Sequence, residues 1–454
     1  MKRRNFIANS ALMIGAAPLL RLGAASSRQT EVLVVGAGMA GLAAAQTLQA
    51  QGIPVVVLEA RQRSGGRVWT DRSWPDAPLD MGASWIHGIR GNPIYKLARQ
   101  LKLATHPTDY DAMTVYEVTG RPLSDADATA LDALLEQTLA RARRAGRALV
   151  DDISLQEGLE LAWQNQPPPD RQTRRRLDYV VNTTIEHEYA GDTGELSFFY
   201  FDHQGAYPGG DVLFLNGYDQ LVTHLGQGLD IRLEHVVEQI SYHSSGVTVT
   251  TNRGEFQAEA AIITLPLGVL KSGRVSFSPA LPPAKQRAIE RLGMGLLNKL
   301  YLRFERPFWP AEAEMLGYIP PLKGRWAEFL NIHFYTGQPI LLAFNAATYA
   351  RSLEKLPDET AVDAALSTLR RIFGHRLPDP TGYRLTRWAA DPFAGGAYSF
   401  MAAGATPQDI NRLAQPVADR LFFAGEATHR RHPATVHGAY LSGQRAAREV
   451  INRR

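Results

Sequence analysis

The feature that most constrains this chain lies near its start: a buried strand, a glycine turn, a helix and a second buried strand within about 30 residues. Glu31 to Gly36 (EVLVVG) is an unbroken apolar run. A strand with one wet face alternates, so this run suits the interior of a parallel sheet. Gly36-Ala-Gly-Met-Ala-Gly41 follows, then an alanine-rich helix closed by Gly52, then the second strand, Pro54 to Glu59 (PVVVLE). In this G-x-G-x-x-G turn, Gly36 permits the tight bend and Gly38 lets backbone amides approach a pyrophosphate. Gly41 lets the helix pack on the strand, and the helix N-terminus then faces the phosphates. Glu59, at the end of the second strand, can accept hydrogen bonds from ribose hydroxyls. The unit binds a dinucleotide and does not by itself choose between NAD and FAD. The next residues, Arg61-Gln-Arg63-Ser-Gly65-Gly66-Arg67, add guanidinium forks and bare backbone for further phosphate contacts, which suits an extended, permanently held FAD.

The chain of 454 residues has room for two to four domains. It has no cysteine, which excludes disulfides, zinc–thiolate and iron–sulfur sites, a cysteine nucleophile and any cofactor attached through sulfur. The net charge of +4 is localised. Residues 1–25 contain Lys2, Arg3, Arg4 and Arg21 and no acid, which leaves 45 basic against 45 acidic residues elsewhere. A nucleic-acid binder carries a basic patch; the one run here, Arg171 to Arg176, reads as a solvated helix face, so no nucleic-acid partner is expected. The opening MKRRNFIANSALMIGAAPLLRLGAASS has a basic start, a short apolar run and small residues near Ala25. It resembles a twin-arginine export signal, too short to span a bilayer. A periplasmic or exported protein without stable membrane insertion is expected.

Residues 96–205 read as mainly helical, 210–280 as strand-rich with a hairpin at Gly254, and the end as a short strand (LFFAG) followed by a helix from about Val436. The expected fold is α/β: a two-domain, Rossmann-like FAD-binding flavoprotein with an interleaved, mixed α+β substrate domain. Residues 30–95, 206–284 and 386–454 are assigned to the cofactor domain, and 96–205 and 285–385 to the substrate domain.

LEARQRSGGRVWT, together with the GAGMAGL start, resembles the flavin-containing amine oxidase superfamily. So do DMGASWIHGIRGNPIYKLA (from Asp80), ITLPLGVLK (from Ile263), LNKLYLRFERPFW (from Leu297), TRWAADPFAGGAYSF (from Thr386) and FFAGEATHRRHPATVHGAYLSGQRAA (from Phe422). GASWIHG with GNPIY is most similar to animal spermine and acetylpolyamine oxidases, and ATVHGA also resembles the lysine-specific histone demethylases. The resemblance implies non-covalent FAD, because the monoamine oxidases' cysteine anchor is missing. It implies that Gly36, Gly38, Ala40, Gly41, Glu59, Ala60, Arg61, Gly66, Arg67 and Val237 hold the adenosine diphosphate half. Gly82, Ala83, Ser84, Trp85, Trp388, Gly425, Glu426, Thr435 and Val436 are expected around the riboflavin half.

By position alone, Lys299 in LLNKLYLRF reads as an exposed strand lysine. By resemblance it is the lysine beside the flavin N5, and the catalytic candidate. His87, Glu188, Tyr189, Trp388, Tyr398, Phe400 and Thr435 are implied as substrate-facing. Phe400 and Thr435 stand where other members carry tyrosines, which points to a bulkier or secondary amine. The expected reaction is hydride transfer from the amine α-carbon to flavin N5, with O2 reoxidising the flavin to give H2O2. An L-amino acid oxidase, a monoamine oxidase and a dehydrogenase with another acceptor are the alternatives. A demethylase is opposed by the export signal and the neutral charge of the remainder. Oligomeric state is not legible.

Overall fold

A computed structural model describes residues 31–453; the export-signal expectation for residues 1–25 lies outside them. The opening unit forms as its pattern dictates: strand Val32–Val35, helix Met39–Gln49, strand Val55–Leu58. These strands lie inside a five-stranded, all-parallel sheet, flanked by Ala260–Ile263 and Leu421–Phe423 on one side and Asp230–Arg232 on the other. All four residues of Val32–Val35 are buried, because both sheet faces are covered. One face carries the Met39–Gln49 and Val436–Asn452 helices. The other packs on a four-stranded sheet whose hairpin turns at Gly254, with helices Pro283–Arg291 and Pro407–Ala414 nearby.

A six-stranded sheet is the second centre. Its order is Gly382–Leu385, Leu297–Arg303, Ile340–Ala346, Glu328–Asn331, Met315–Tyr318 and Met113–Tyr116. Alternation sorts its side chains. Leu300, Leu302, Phe329, Leu341 and Ala343 pack beneath helix Asp358–Phe373; Lys299, Phe344, Glu328 and Met315 face a cavity. Residues 96–205 are mainly helical, as expected, with helices Asp125–Ala145, Leu155–Leu161 and Arg171–Val181, and contain in addition two short strands, Thr105–Thr108 and Met113–Tyr116. Thr105–Thr108 pairs with Asp211–Phe214, so a small sheet ties that segment to the one beginning near residue 206. The arginine run lies on helix Arg171–Val181 but is not wholly solvated: Arg176 is half-buried and bridges Glu117 and Asp127.

The glycine turn is built on contact distances. A Cβ on Gly41 would lie 1.9 Å from the Gly36 carbonyl oxygen, whereas one on Gly38 would meet nothing nearer than 3.9 Å. Backbone cannot yield as a flexible side chain does, and overpacking of this kind costs roughly 1–3 kcal/mol. Gly41→Ala is therefore expected to lower the thermal midpoint of the cofactor-free protein measured by circular dichroism, and Gly38→Ala to leave that midpoint within error of the parent. Equal midpoints for both variants would show that the helix–strand approach is not the constraint.

Candidate active site

A single cavity of about 1200 Å³ runs from the glycine turn to the six-stranded sheet. At the first end Gly36 adopts φ +103° to turn the chain. Gly38 then presents open backbone, and the Met39–Gln49 helix starts there with no side-chain cap. Glu59 is buried, and its carboxylate accepts from the Ala37 and Arg61 amides at 2.7 and 2.9 Å. Burial outweighs these bonds and raises its pKa. Ala40, Ala60, Gly66 and Val237 line the same end. Arg61 forks onto Asp391 at 2.8 and 2.9 Å.

Arg67 donates to Glu426 and to the Ala397 carbonyl, and Glu426 also accepts from Ser399 Oγ at 2.6 Å and the Ala434 amide at 2.9 Å. Gly425, at φ +123°, and Val436 line the cavity beside them. Thr435 is the N-cap of the Val436–Asn452 helix: its Oγ1 accepts from the Gly438 amide and donates to the His432 carbonyl. A long helix therefore starts at the cavity wall, with its positive end there. Open backbone at Gly38 and Gly425, two helix N-termini and an acid at the ribose position together fit an FAD-sized ligand.

Farther along stands Lys299, 4% exposed, on the cavity-facing side of its strand. Nζ donates to the Asp80 carbonyl (2.7 Å), the Gly82 carbonyl (2.6 Å) and Ser84 Oγ, so all three ammonium protons have acceptors. Burial pulls the lysine pKa below its usual range, and the nearby Asp80 carboxylate opposes that pull. Asp80 is itself pushed upward by burial, against the Thr70 hydroxyl and the Tyr218 amide. Trp85 lies beneath the ammonium at 5.9 Å. Trp388 donates its indole N–H to the Met81 carbonyl, and its own amide is held by Asn298. Gly82 and Ala83 complete this wall. A Cβ on Gly82 would sit 1.8 Å from the Arg67 carbonyl oxygen, so no other residue fits there.

Beyond Lys299 the chamber is walled by Trp85, Phe344, Tyr110 and Tyr398 and rimmed by carboxylates. Tyr398 donates to the His187 main-chain carbonyl at 2.6 Å. His87 Nδ1 is 2.7 Å from Asp211, which also accepts from Tyr110 and the Gly88 amide. Burial would lower the His87 pKa; the Asp211 hydrogen bond and the Glu188 charge outweigh it and raise it. The ring is nonetheless 47% exposed, at the wet side of the chamber. Glu188 is exposed and is contacted by Gln204. Deeper in, Glu328 is paired with His187 Nδ1 at 2.9 Å. Among the lining residues, arginine occurs only as Arg61, Arg67 and Arg274. Arg61 and Arg274 both reach the 391–392 turn beside the dinucleotide end, and Arg67 bonds Glu426.

Three expectations are corrected. Phe400 does not line the cavity: its ring fills the space over Gly191 and Gly293 in an adjoining core. Tyr189 is turned from the cavity and packs edge-on against Phe201. Gly41 lies behind the turn, where it serves helix packing. Asp80, Asp211, His187 and Glu328 are functional neighbours that the sequence reading missed. Asp80 opened a motif already quoted. Glu328 is visible only through strand register: Lys299 lies opposite Phe344, and in the next pairing Phe329 lies opposite Ala343, so that Glu328 and Phe344 are the residues just past the end of that ladder.

Comparisons with known proteins agree with this geometry. The model of the family "flavin containing amine oxidoreductase" matches residues 39–451. Polyamine oxidase 2 of Arabidopsis thaliana is 37% identical over 443 residues, 93% of this chain and 88% of that protein. Lysine-specific histone demethylase 1 homolog 1 of the same plant is 39% identical over 440 residues, but this chain spans only 52% of it. A solved putrescine oxidase bound to putrescine shares the fold with a TM-score of 0.75 at 22% identity, over 93% of this chain and 99% of that one. The chain belongs to the flavin-containing amine oxidoreductases, and its cofactor is FAD.

Proposed function

We propose that the protein is an oxidase of polyamines or secondary amines that attacks the C–H bond next to nitrogen, with O2 as electron acceptor and H2O2 as product. The observation that carries this reading is the charge of the chamber. Asp111, Asp132, Glu188, Asp211 and Glu328 line it, and no arginine lies among them. Carboxylates attract polycations and repel carboxylate substrates. An amino acid would need a guanidinium clamp, so this arrangement opposes the L-amino acid oxidase reading.

When bound, the flavin supplies the hydride acceptor and returns the electrons to oxygen. The chain's own residues prepare the substrate. Its nitrogen must be neutral, yet free alkylamines, like lysine, titrate near ~10. The aromatic lining of the cavity, Trp85, Phe344, Trp388 and Tyr398, excludes water and so lowers the cost of losing that proton. Thr435 leaves more room than a tyrosine would, which suits a substituted nitrogen. Lys299 spends all its protons on Asp80, Gly82 and Ser84, so it acts through its fixed charge, which stabilises negative charge developing nearby. The N-terminal Arg3-Arg4 pattern supports export of the folded, loaded protein.

A peroxide-coupled panel tests the substrate class. Spermidine and spermine are expected to exceed butylamine and an N-methyllysine peptide in kcat/KM, and leucine to be silent. Preference for leucine, or flavin reduction without peroxide, would overturn the oxidase reading.

Lys299→Met is expected to retain FAD but to slow aerobic reoxidation of the reduced enzyme by at least roughly tenfold, about 1.4 kcal/mol. The parent rate should fall as pH rises through the lowered lysine pKa, because the ammonium loses its charge there, while the variant stays flat. Identical pH profiles would remove Lys299 from the oxygen step. Replacing Arg3 and Arg4 by lysine should leave an active enzyme inside the cell; undiminished export would rule out the twin-arginine route.

A further inference from the structure

Sulfur is where peroxide most readily oxidises a protein, and this chain carries its sulfur only as thioether: eight methionines and no cysteine. Of the methionines among the described residues, Met39, Met81, Met113 and Met315 line the cavity, whereas Met294 and Met401 do not. Met39, Met81 and Met315 are buried, at 4%, 1% and 2% exposure. Met113 is half-buried and so is the cavity thioether most open to the chamber. It lies beside Met315, its register partner in the parallel pair of strands Met113–Tyr116 and Met315–Tyr318. On that side the chamber reaches the exposed residues Asp111, Thr129 and Asp132.

The Met113 sulfur has a fixed neighbour. The Tyr179 hydroxyl donates to Sδ at 3.5 Å and has no other acceptor among the described residues. Tyr179 is buried, and a Cβ on Gly317 would lie 2.1 Å from its hydroxyl oxygen, so the hydroxyl is seated against bare backbone. No other methionine sulfur among the described residues accepts a hydrogen bond. A thioether is a weak acceptor for a buried hydroxyl; a sulfoxide oxygen is a polar and much better one. The hydroxyl occupies one sulfur lone pair and leaves the other free to react.

We propose that Met113 is a modification site: peroxide produced in the chamber converts its thioether to the sulfoxide, and the Tyr179 hydroxyl holds the new oxygen. The proposal rests on the oxidase reading above, which supplies the oxidant. The free sulfur lone pair takes one oxygen of H2O2, the O–O bond breaks, and the second oxygen leaves as water with both protons. Sulfur loses two electrons and peroxide gains them. An apolar, pliable wall becomes a polar one, so the event slows the chamber that made the peroxide, and a methionine sulfoxide reductase reverses it.

The test is a mass-spectrometric peptide map of the FAD-loaded full chain, with Met294, half-buried and outside the cavity, as the reference. Spermidine is turned over with catalase in the medium, which destroys peroxide that has left the molecule. Met113 sulfoxide should then form at least roughly fivefold faster than Met294 sulfoxide. The rate should fall as it accumulates, and Met113→Leu, which conserves volume, should hold its own starting rate. Equal oxidation of the two methionines, complete protection of Met113 by catalase, or the same slowing in Met113→Leu would overturn the proposal. Should Met113→Leu fail to fold, the parent's peptide map decides alone. Treating the resting protein with H2O2 separates the proposal from the reading beneath it. Selective Met113 sulfoxide there, in a parent that makes no peroxide from any amine, would keep the site and overturn the oxidase reading. Peroxide formation that leaves Met113 a thioether would sink the site and keep the reading.

Discussion

The reacting end depends on one buried cation. A lysine ammonium removed from water is tolerable only when every proton finds an acceptor, and Lys299 finds three within the five residues Asp80 to Ser84. Those acceptors belong to the segment that follows the dinucleotide unit, whereas Lys299 belongs to the six-stranded sheet. The interaction therefore fastens the cofactor-side backbone to the substrate-side sheet at the place where both must be in register. Tyr301, two residues along the same strand face, adds its hydroxyl to the Asp80 carbonyl. Asn298, on the opposite face, holds Trp388 and Thr386, and Thr386 Oγ1 in turn accepts the Lys299 amide. Three segments far apart in sequence are locked by one short stretch of strand.

The charge pattern follows a division of labour. Around the glycine turn, cations and amide-rich backbone gather: Arg61, Arg67 and the starts of two helices. There the cations are balanced, Arg61 by Asp391 and Arg67 by Glu426. Past Lys299 the acids lining the chamber are in excess, which the near-neutral sum over the chain conceals.

How much was legible follows from how local each feature is. The dinucleotide unit was readable because its strands, turn and helix are contiguous, and each glycine answers to a contact of atoms close in sequence. Lys299 needed resemblance to be recognised, since the alternation LNKLYLR places it on a face without saying whether that face is wet. Phe400 and Tyr189 were misplaced because matching a motif position does not specify which way a side chain turns. Phe400 follows the space left by Gly191 and Gly293, two glycines nowhere near it in the chain. Glu328 was beyond reach because its relation to Lys299 passes through two antiparallel pairings, and no single stretch of sequence carries that register.

The C-terminal helix has a consequence for assembly. A Cβ on Gly443 would lie 2.0 Å from the Ala40 carbonyl oxygen, so this helix presses directly on the one that opens the dinucleotide unit, while its first residues wall the cavity. The strand Leu421–Phe423 likewise completes the parallel sheet. A ribosome-bound chain has made the first half of the pigment's seat hundreds of residues before the last wall arrives. Capture of the pigment thus waits on this helix, and a molecule truncated before it would be left with an open, leaky berth.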